Sequence, residues 1–470
     1  MSGPQPESES DTPARKDLAD VQRIVLVGRA WELAQHLVLT FTERSDAPHF
    51  LERLLQIRPL SAALQPGLPI VQISLGFSRR GLERARVPRY VLACFAAKAP
   101  AFSAGAALRS ASHLGHSGED APGQWDPAFD FMSLDAVISL HAKADRELDS
   151  ARQQIGEIAA ETDVKVTELP RAQRMTDANR KPVVHFGYRD GLSRIGIEGW
   201  ALQAEMKKCG AVSRHAAGEF VLGHPQNSGA NPWIASAGQP VWHRELRAFF
   251  RNGSFGVLQQ IEQNVAEFEA FVIAAASGTG LNADAIKAKL CGRMPDGWPL
   301  AKPLCTNPKT DFDYRDDPKG QACPFGSHIR RMNPRDSELA QTRPRPLLRR
   351  GVPYGPSWQH PPENKPRGLM GQFFCASIED QFEHLIGQWA ERVPLGSPDG
   401  GGARDPLIGA HERGDGGFEI PMASGRPLML DGLRRYTRTR GAAYLFYPSL
   451  STLDLIAKGD PFIDRRWDHD

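Results

Sequence analysis

AVISLHAKADRELDSARQQIGEIAAETDVKVTEL, residues 136–169, changes its hydrophobic period twice. AVISLHA (136–142) is a short β-branched apolar run and predicts a strand. From Asp145 to Glu161 the apolar residues Leu148, Ala151, Ile155, Ile158 and Ala159 recur every three or four positions, which puts them on one helix face. VKVTEL (164–169) then alternates with the period of a half-buried strand. Upstream, PIVQISLGF (69–77) predicts a strand, and HFLERLLQI (49–57), with Phe50, Leu54 and Leu55, a helix. QRIVLVG (22–28) reads as the first strand from its β-branched content. The order strand, helix, strand, strand, helix, strand is the ferredoxin-like split βαβ pattern.

A second copy follows. SFGVLQQIEQ (254–263) reads as extended, AEFEAFVIAAA (266–276) as helical and GLMGQFFCAS (368–377) as an apolar strand. Ile378, Phe382, Leu385, Ile386 and Trp389 mark one face of a helix running to about Arg392. AAYLFYPS (442–449) supplies another strand before a short helix near Leu453. The stretch from about 280 to 366 is too long for a connection inside a compact domain and is read as functional. The expected class is α+β with two ferredoxin-like domains and a Gly-rich insertion at Gly396–Gly402. The expected divisions are a disordered leader (1–20), an N-terminal domain (21–215) and a C-terminal domain (216–470).

The 470 residues carry 57 Lys and Arg against 55 Asp and Glu, a net charge of +2. That balance gives no reason to expect a nucleic-acid or anionic-membrane partner. No run of about 18 apolar residues occurs, so no membrane span is expected. The first residues, MSGPQPESESDTPARKD, have neither the basic start and apolar core of a secretory signal nor twin arginines, and a cytoplasmic protein is expected. The six cysteines (94, 209, 291, 305, 323 and 375) form no C-x-x-C pair, which argues against a zinc ribbon or thioredoxin motif and for scattered reduced thiols.

Three segments could carry chemistry. In HFGYRDGLSRIGIEG (185–199) glycines flank the carboxylate of Asp190 and let the backbone present it at close range; by itself Asp-Gly is also an ordinary turn. In CPFGSHIRRMNPR (323–335) His328 follows a Pro-Phe-Gly turn and precedes a basic run; it can be a metal ligand or a hydrogen-bonded structural histidine. In RPLLRRGVPYGP (345–356) Arg349 and Arg350 lie beside apolar Leu347 and Leu348, and an arginine buried there needs an anion or a structural carboxylate. Spacing alone does not select His328 among 14 histidines.

In this order, HFGYRDG, GRMPDGWPL (292–300), DFDY (311–314), CPFGSHIRRMNPR, LLRRGVPYG and RGAAYLFYPSL (440–450) resemble the dye-decolorising (DyP-type) haem peroxidase family. NGSFGVLQQIEQNVAEFEAF (252–271) and GLMGQFFCASIEDQFEHLIGQWAE (368–391) are similar to its strand-then-helix stretches, and the resemblance runs from about residue 20 to the C-terminus. It implies two ferredoxin-like domains of the dimeric α+β barrel type, with non-covalent haem b held mainly by the C-terminal half. It also implies hydrogen peroxide and an organic electron donor as partners, and leaves room for a homo-oligomer. By the same resemblance His328 is the iron ligand, Asp190 the distal acid/base and Arg349, rather than Arg350, the distal arginine. ARDPLIG (403–409) is similar to the segment supplying the carboxylate behind the ligand, which makes Asp405 its hydrogen-bond partner.

The chain departs from the family pattern at Ser193-Arg194-Ile195, at Gln259-Gln260 where many members have two arginines, and at Gly351. Arg330, Arg194 and His224 are then the candidates for holding the haem propionates. Tyr354 is a candidate exit for electrons because it is close in sequence to Arg349. The competing reading is a haem-binding, storage or sensing protein with little peroxidase activity. A nucleic-acid module built on HIRRMNPR and RPRPLLRR ranks below both, because no aromatic-interleaved basic motif accompanies them.

Overall fold

The computed structural model describes residues 15–28, 31–57, 60, 69–192, 195–198, 213–233, 241–301, 312–335, 344–357, 365–392, 404–411, 414 and 416–459. The N-terminal half builds β1 (Leu33–Phe41), α1 (Ala47–Ile57), β2 (Val71–Phe77), β3 (Ala136–Ala142), α2 (Asp145–Glu161), β4 (Val164–Glu168) and the two-residue β5 (Ala172–Gln173). β3 lies between β2 and β1, and β4 and β5 share the other edge of β1, all antiparallel. That is the ferredoxin-like order expected. α2 buries Leu148, Ala151, Ile155, Ile158 and Ala159, the predicted face.

The C-terminal half repeats the arrangement. β6 (Ser254–Gln263) leads into α3 (Val265–Thr279) and α4 (Ala283–Cys291). Then come β7 (Leu348–Arg349), β8 (Val352–Tyr354), β9 (Gly368–Cys375), a π-helical stretch over 378–390 and β10 (Thr437–Tyr447). β6 sits between β10 and β9, and β7 and β8 share the far edge of β9.

The two sheets close on each other into one barrel. The seams are narrow: β10 meets β2 at Phe446↔Phe77, and β8 meets β5 at Tyr354↔Ala172. Gln22 reinforces the first seam. Its amide donates to the carbonyls of Leu75 and Pro448 at 2.9 Å each and accepts from Leu75 N–H at 2.9 Å, as a strand backbone would. The β1 and β3 faces with Leu37, Leu39, Ile138 and Leu140 are apolar. The alternate positions His36, Ser139 and His141 face the barrel lumen, where Gln372 donates to Ser139 at 2.8 Å and to the Tyr447 hydroxyl at 3.2 Å.

Three elements differ from expectation. QRIVLVG is not a strand: Arg23–Leu26 is a helical turn, and the first strand is LAQHLVLTF (33–41). The buried positions Leu18, Val21, Ile24 and Val25 follow helical spacing, which β-branched content masked; β1 was hidden because its lumen side carries polar His36. The leader is ordered at its end, where Arg15–Asp20 is helical and Asp17 pairs with Arg251 at 3.0 Å. Between β2 and β3, helices Arg79–Arg84, Arg89–Lys98, Pro100–Ala104 and Ala106–His113 cross to the other half. There Phe95 meets Phe446 at 5.0 Å and Phe102 meets Phe255 at 5.3 Å. Residues 1–14, the insertion 396–402, Ser193, Arg194, Cys209 and Cys305 lie outside the described residues. No described helix is long and apolar enough to cross a membrane.

Candidate active site

His328 opens a five-residue helix, His328–Met332, capped by buried Ser327, whose hydroxyl donates to the Lys289 carbonyl at 2.6 Å. The imidazole Nδ1 lies 2.9 Å from Asp405 Oδ2. Asp405 has no accessible surface, and its Oδ1 accepts from the amides of Leu407 (2.9 Å) and Ile408 (3.1 Å). Burial pushes this carboxyl up, but His328, Arg331 and the Leu407 amide more than offset it and hold the pKa below the ordinary carboxylate value. A carboxylate only accepts, so Nδ1 carries the hydrogen, and in a neutral ring the lone pair is then on Nε2. No described residue hydrogen-bonds that nitrogen, and the side chain is 23% accessible. A histidine held by a buried carboxylate, with its other nitrogen unpartnered, is the donor set a haem iron requires.

Arg349 sits on the edge strand β7, opposite Phe373 of β9. Its surface is accessible, yet burial lowers its pKa and the charge of Asp190 counteracts that. Arg293, lowered to about 10 first by burial, then by Arg335 and, more weakly, by Arg349, adds positive potential nearby. Arg350 points elsewhere, its Nε and a terminal nitrogen donating to the carbonyls of Ile24 (3.0 Å) and Val25 (2.8 Å).

The segment carrying Asp190 follows β5 in the chain but docks on the C-terminal half. Phe186 packs on Phe268 at 4.5 Å, Tyr188 donates to the Lys287 carbonyl at 2.9 Å, and Arg189 N–H donates to Pro295 O at 2.9 Å. His185 Nε2 sits 2.9 Å from the carbonyl of Tyr354, which ties the segment to β8. Burial raises the pKa of Tyr188, with Cys291, Glu269 and Asp405 adding to it. One turn therefore spans the site: Tyr188 lies in the field of Asp405, and Asp190, two residues on, in the field of Arg349. Asp190, His328, Arg349 and Asp405, 215 residues apart in sequence, converge.

Arg330 and His224 do not join them. Arg330 is buried between Tyr314 and Phe325 (4.5 and 4.4 Å) and donates to Asp317 Oδ2 at 2.9 Å, Cys323 O at 2.6 Å and Asp317 O at 3.0 Å. Its donors close the 317–330 loop, which differs from the propionate role expected. His224 is bonded to Asn252 at 2.7 Å in the network around Asp17. Gln259 donates to Thr439 at 3.0 Å. The sequence reading missed Arg331, which steadies the His328–Met332 helix by donating to the carbonyls of Gly326, Trp389 and Arg392. Its position beside Arg330 in a basic run concealed it.

Fold and site together define a two-sheet α+β barrel protein with a carboxylate-held histidine and, in each other's field, an aspartate and an arginine. Residues 40–175 match the family model of the DyP dimeric alpha+beta barrel domain. The dye-decolorizing peroxidase msp1 of Mycetinis scorodonius is 25% identical, over 95% of this chain and 88% of that protein. The multifunctional dye peroxidase DyP2 of Amycolatopsis sp. is 28% identical, over 75% of this chain and 77% of that protein. The solved structure of DyP2 from Amycolatopsis superposes with a TM-score of 0.75 at 25% identity, over 95% of this chain and 97% of that one. Over most of its length the chain is similar to dye-decolorizing peroxidases, and its residues 40–175 match the barrel domain of that family.

Proposed function

We propose that the protein binds haem b non-covalently and reduces hydrogen peroxide while oxidising phenolic, dye-like or other organic donors in one-electron steps. The observation that carries this reading is the His328–Asp405 pair, in which His328 Nε2 has no hydrogen-bond partner among the described residues. His328 would hold the iron through Nε2, and the buried Asp405 carboxylate makes that imidazole a stronger electron donor. Bound haem supplies the redox-active iron that relays electrons from donor to peroxide.

Asp190 accepts a proton from one peroxide oxygen and returns it to the other, directly or through one water. Arg349 carries a permanent charge and stabilises the negative charge that develops on the departing oxygen. The product is water, and the two electrons it requires come from two donor molecules.

The test is reconstitution with haem followed by one equivalent of hydrogen peroxide. His328→Ala loses the Soret band, whereas Asp190→Asn and Arg349→Leu keep it and react with peroxide about 100-fold more slowly or worse. An unchanged Soret band in His328→Ala, or wild-type peroxide kinetics in Asp190→Asn, would overturn the assignment.

A further inference from the structure

Arg349 rides on a strand only two residues long, at the outer edge of β9. Beyond it Arg350 N–H donates to Gln372 O at 2.8 Å, and the pairing resumes in the same register at Val352↔Met370. As an edge strand it has a ladder partner on one side only among the described residues. The Arg350 side chain supplies the missing restraint. One terminal nitrogen donates to the Arg349 carbonyl at 3.1 Å, while Nε and the other terminal nitrogen donate to Ile24 O (3.0 Å) and Val25 O (2.8 Å). Those two carbonyls belong to the helical turn Arg23–Leu26, whose last carbonyls have no partner within the turn.

Gly28 makes room for this reach: a Cβ there would lie 2.8 Å from both Cδ and Nε of Arg350. The turn is itself fastened by Gln22 at the seam and by the two-pronged Asp17–Arg251 pair (3.1 and 3.0 Å).

Resting on the peroxidase reading above, we infer that Arg350 is a positioning residue. It clamps the N-terminal turn onto the Arg349 backbone and so sets where the Arg349 guanidinium meets an anion. The four parts of the clamp are Arg350, the carbonyls of Ile24 and Val25, and the side-chain-free Gly28. A displacement of the guanidinium by a fraction of an ångström weakens anion binding without removing the charge.

The experiment compares haem-loaded wild type with Arg350→Ala, Arg350→Lys, Gly28→Val and Val25→Ala. It measures the melting temperature of each haem-free chain, the Kd for fluoride, the KM for hydrogen peroxide and the kcat at saturating peroxide. Arg350→Ala and Gly28→Val are expected to weaken fluoride binding and raise the peroxide KM, each by about tenfold. Their Soret bands and kcat stay as in wild type. Arg350→Lys recovers part of both losses, because one ammonium can still reach one of the carbonyls. Val25→Ala removes buried methyls but keeps the carbonyl, so it lowers the melting temperature alone.

If Arg350→Ala melts lower yet keeps wild-type fluoride affinity and peroxide KM, Arg350 only stabilises the fold and the inference is overturned. A wild type that turns over no peroxide overturns the proposed function and this inference together. An active wild type with an unaffected Arg350→Ala overturns this inference alone.

Discussion

Asp405 holds three hydrogen bonds on a carboxylate without accessible surface, two from backbone amides and one from His328. Asp405→Asn keeps the shape and removes the charge. The variant is expected to retain haem, to react with peroxide about 10- to 100-fold more slowly and to show a higher iron reduction potential, because the imidazole donates less electron density. Stopped-flow absorbance and spectroelectrochemistry read both, and an unchanged potential would count against the pairing. Arg330→Met separates structure from site. It strands Asp317 without its cation and is expected to cost about 3 kcal/mol of stability in denaturant titration while leaving the haem spectrum intact. At this scale the sequence was uneven. Asp190, Arg349 and Asp405 stood in recognisable motifs, but nothing local told Arg349 from Arg350 or a ligand-helix arginine from a loop-closing one. Those distinctions depend on carbonyls contributed from more than 300 positions away in the case of Ile24.

Buried histidines, His36 and His141 on the lumen strands and His116 in the loop after the helix Ala106–His113, make the fold acid-sensitive. Burial, with His141 adding, lowers His36 to about 3; burial, with Arg350 adding, lowers His141 to about 4; burial, with Arg435 adding, lowers His116 to about 4. The rings stay neutral in the folded chain, whereas the unfolded chain protonates them near pH 6.5. Stability is therefore complete above about 6.5 and declines as pH falls toward 4 and then 3, by about 1.4 kcal/mol per pH unit for each histidine. Melting temperatures at pH 7, 5.5 and 4.5 check this. In His36→Gln the decline is shallower, and an identical slope would sink the explanation. Polar lumen positions also explain which elements could be read. α2 and β3 show clean periods because one face or both meet apolar neighbours. β1 was missed because its lumen residues are polar, and the helices after β2 because their buried faces pack across to the other half.

Pairing of like halves was legible from two copies of one pattern, but their fusion into one barrel only from the family resemblance. A seam one residue pair wide leaves no mark on either strand. Phe95, Phe102, Phe249 and Phe446 form one aromatic cluster across the halves, and the Asp190 segment of the first half sits on the second. The chain is accordingly expected to unfold in one transition, with coincident fluorescence and circular dichroism curves, and a fragment of residues 216–470 is expected not to fold alone. Two separated transitions would show independent domains. The narrow seams have a consequence of their own. Where β2 meets β10 and β5 meets β8, the circumference is carried by single residue pairs, with the amide of Gln22 bridging the first. Mechanically the barrel is two half-shells hinged along two lines, and it gives way there first. Hydrogen exchange at Phe77, Phe446 and Tyr354 outpaces that of the inner ladders, which makes the seams the doorway by which protons and water reach the histidines within.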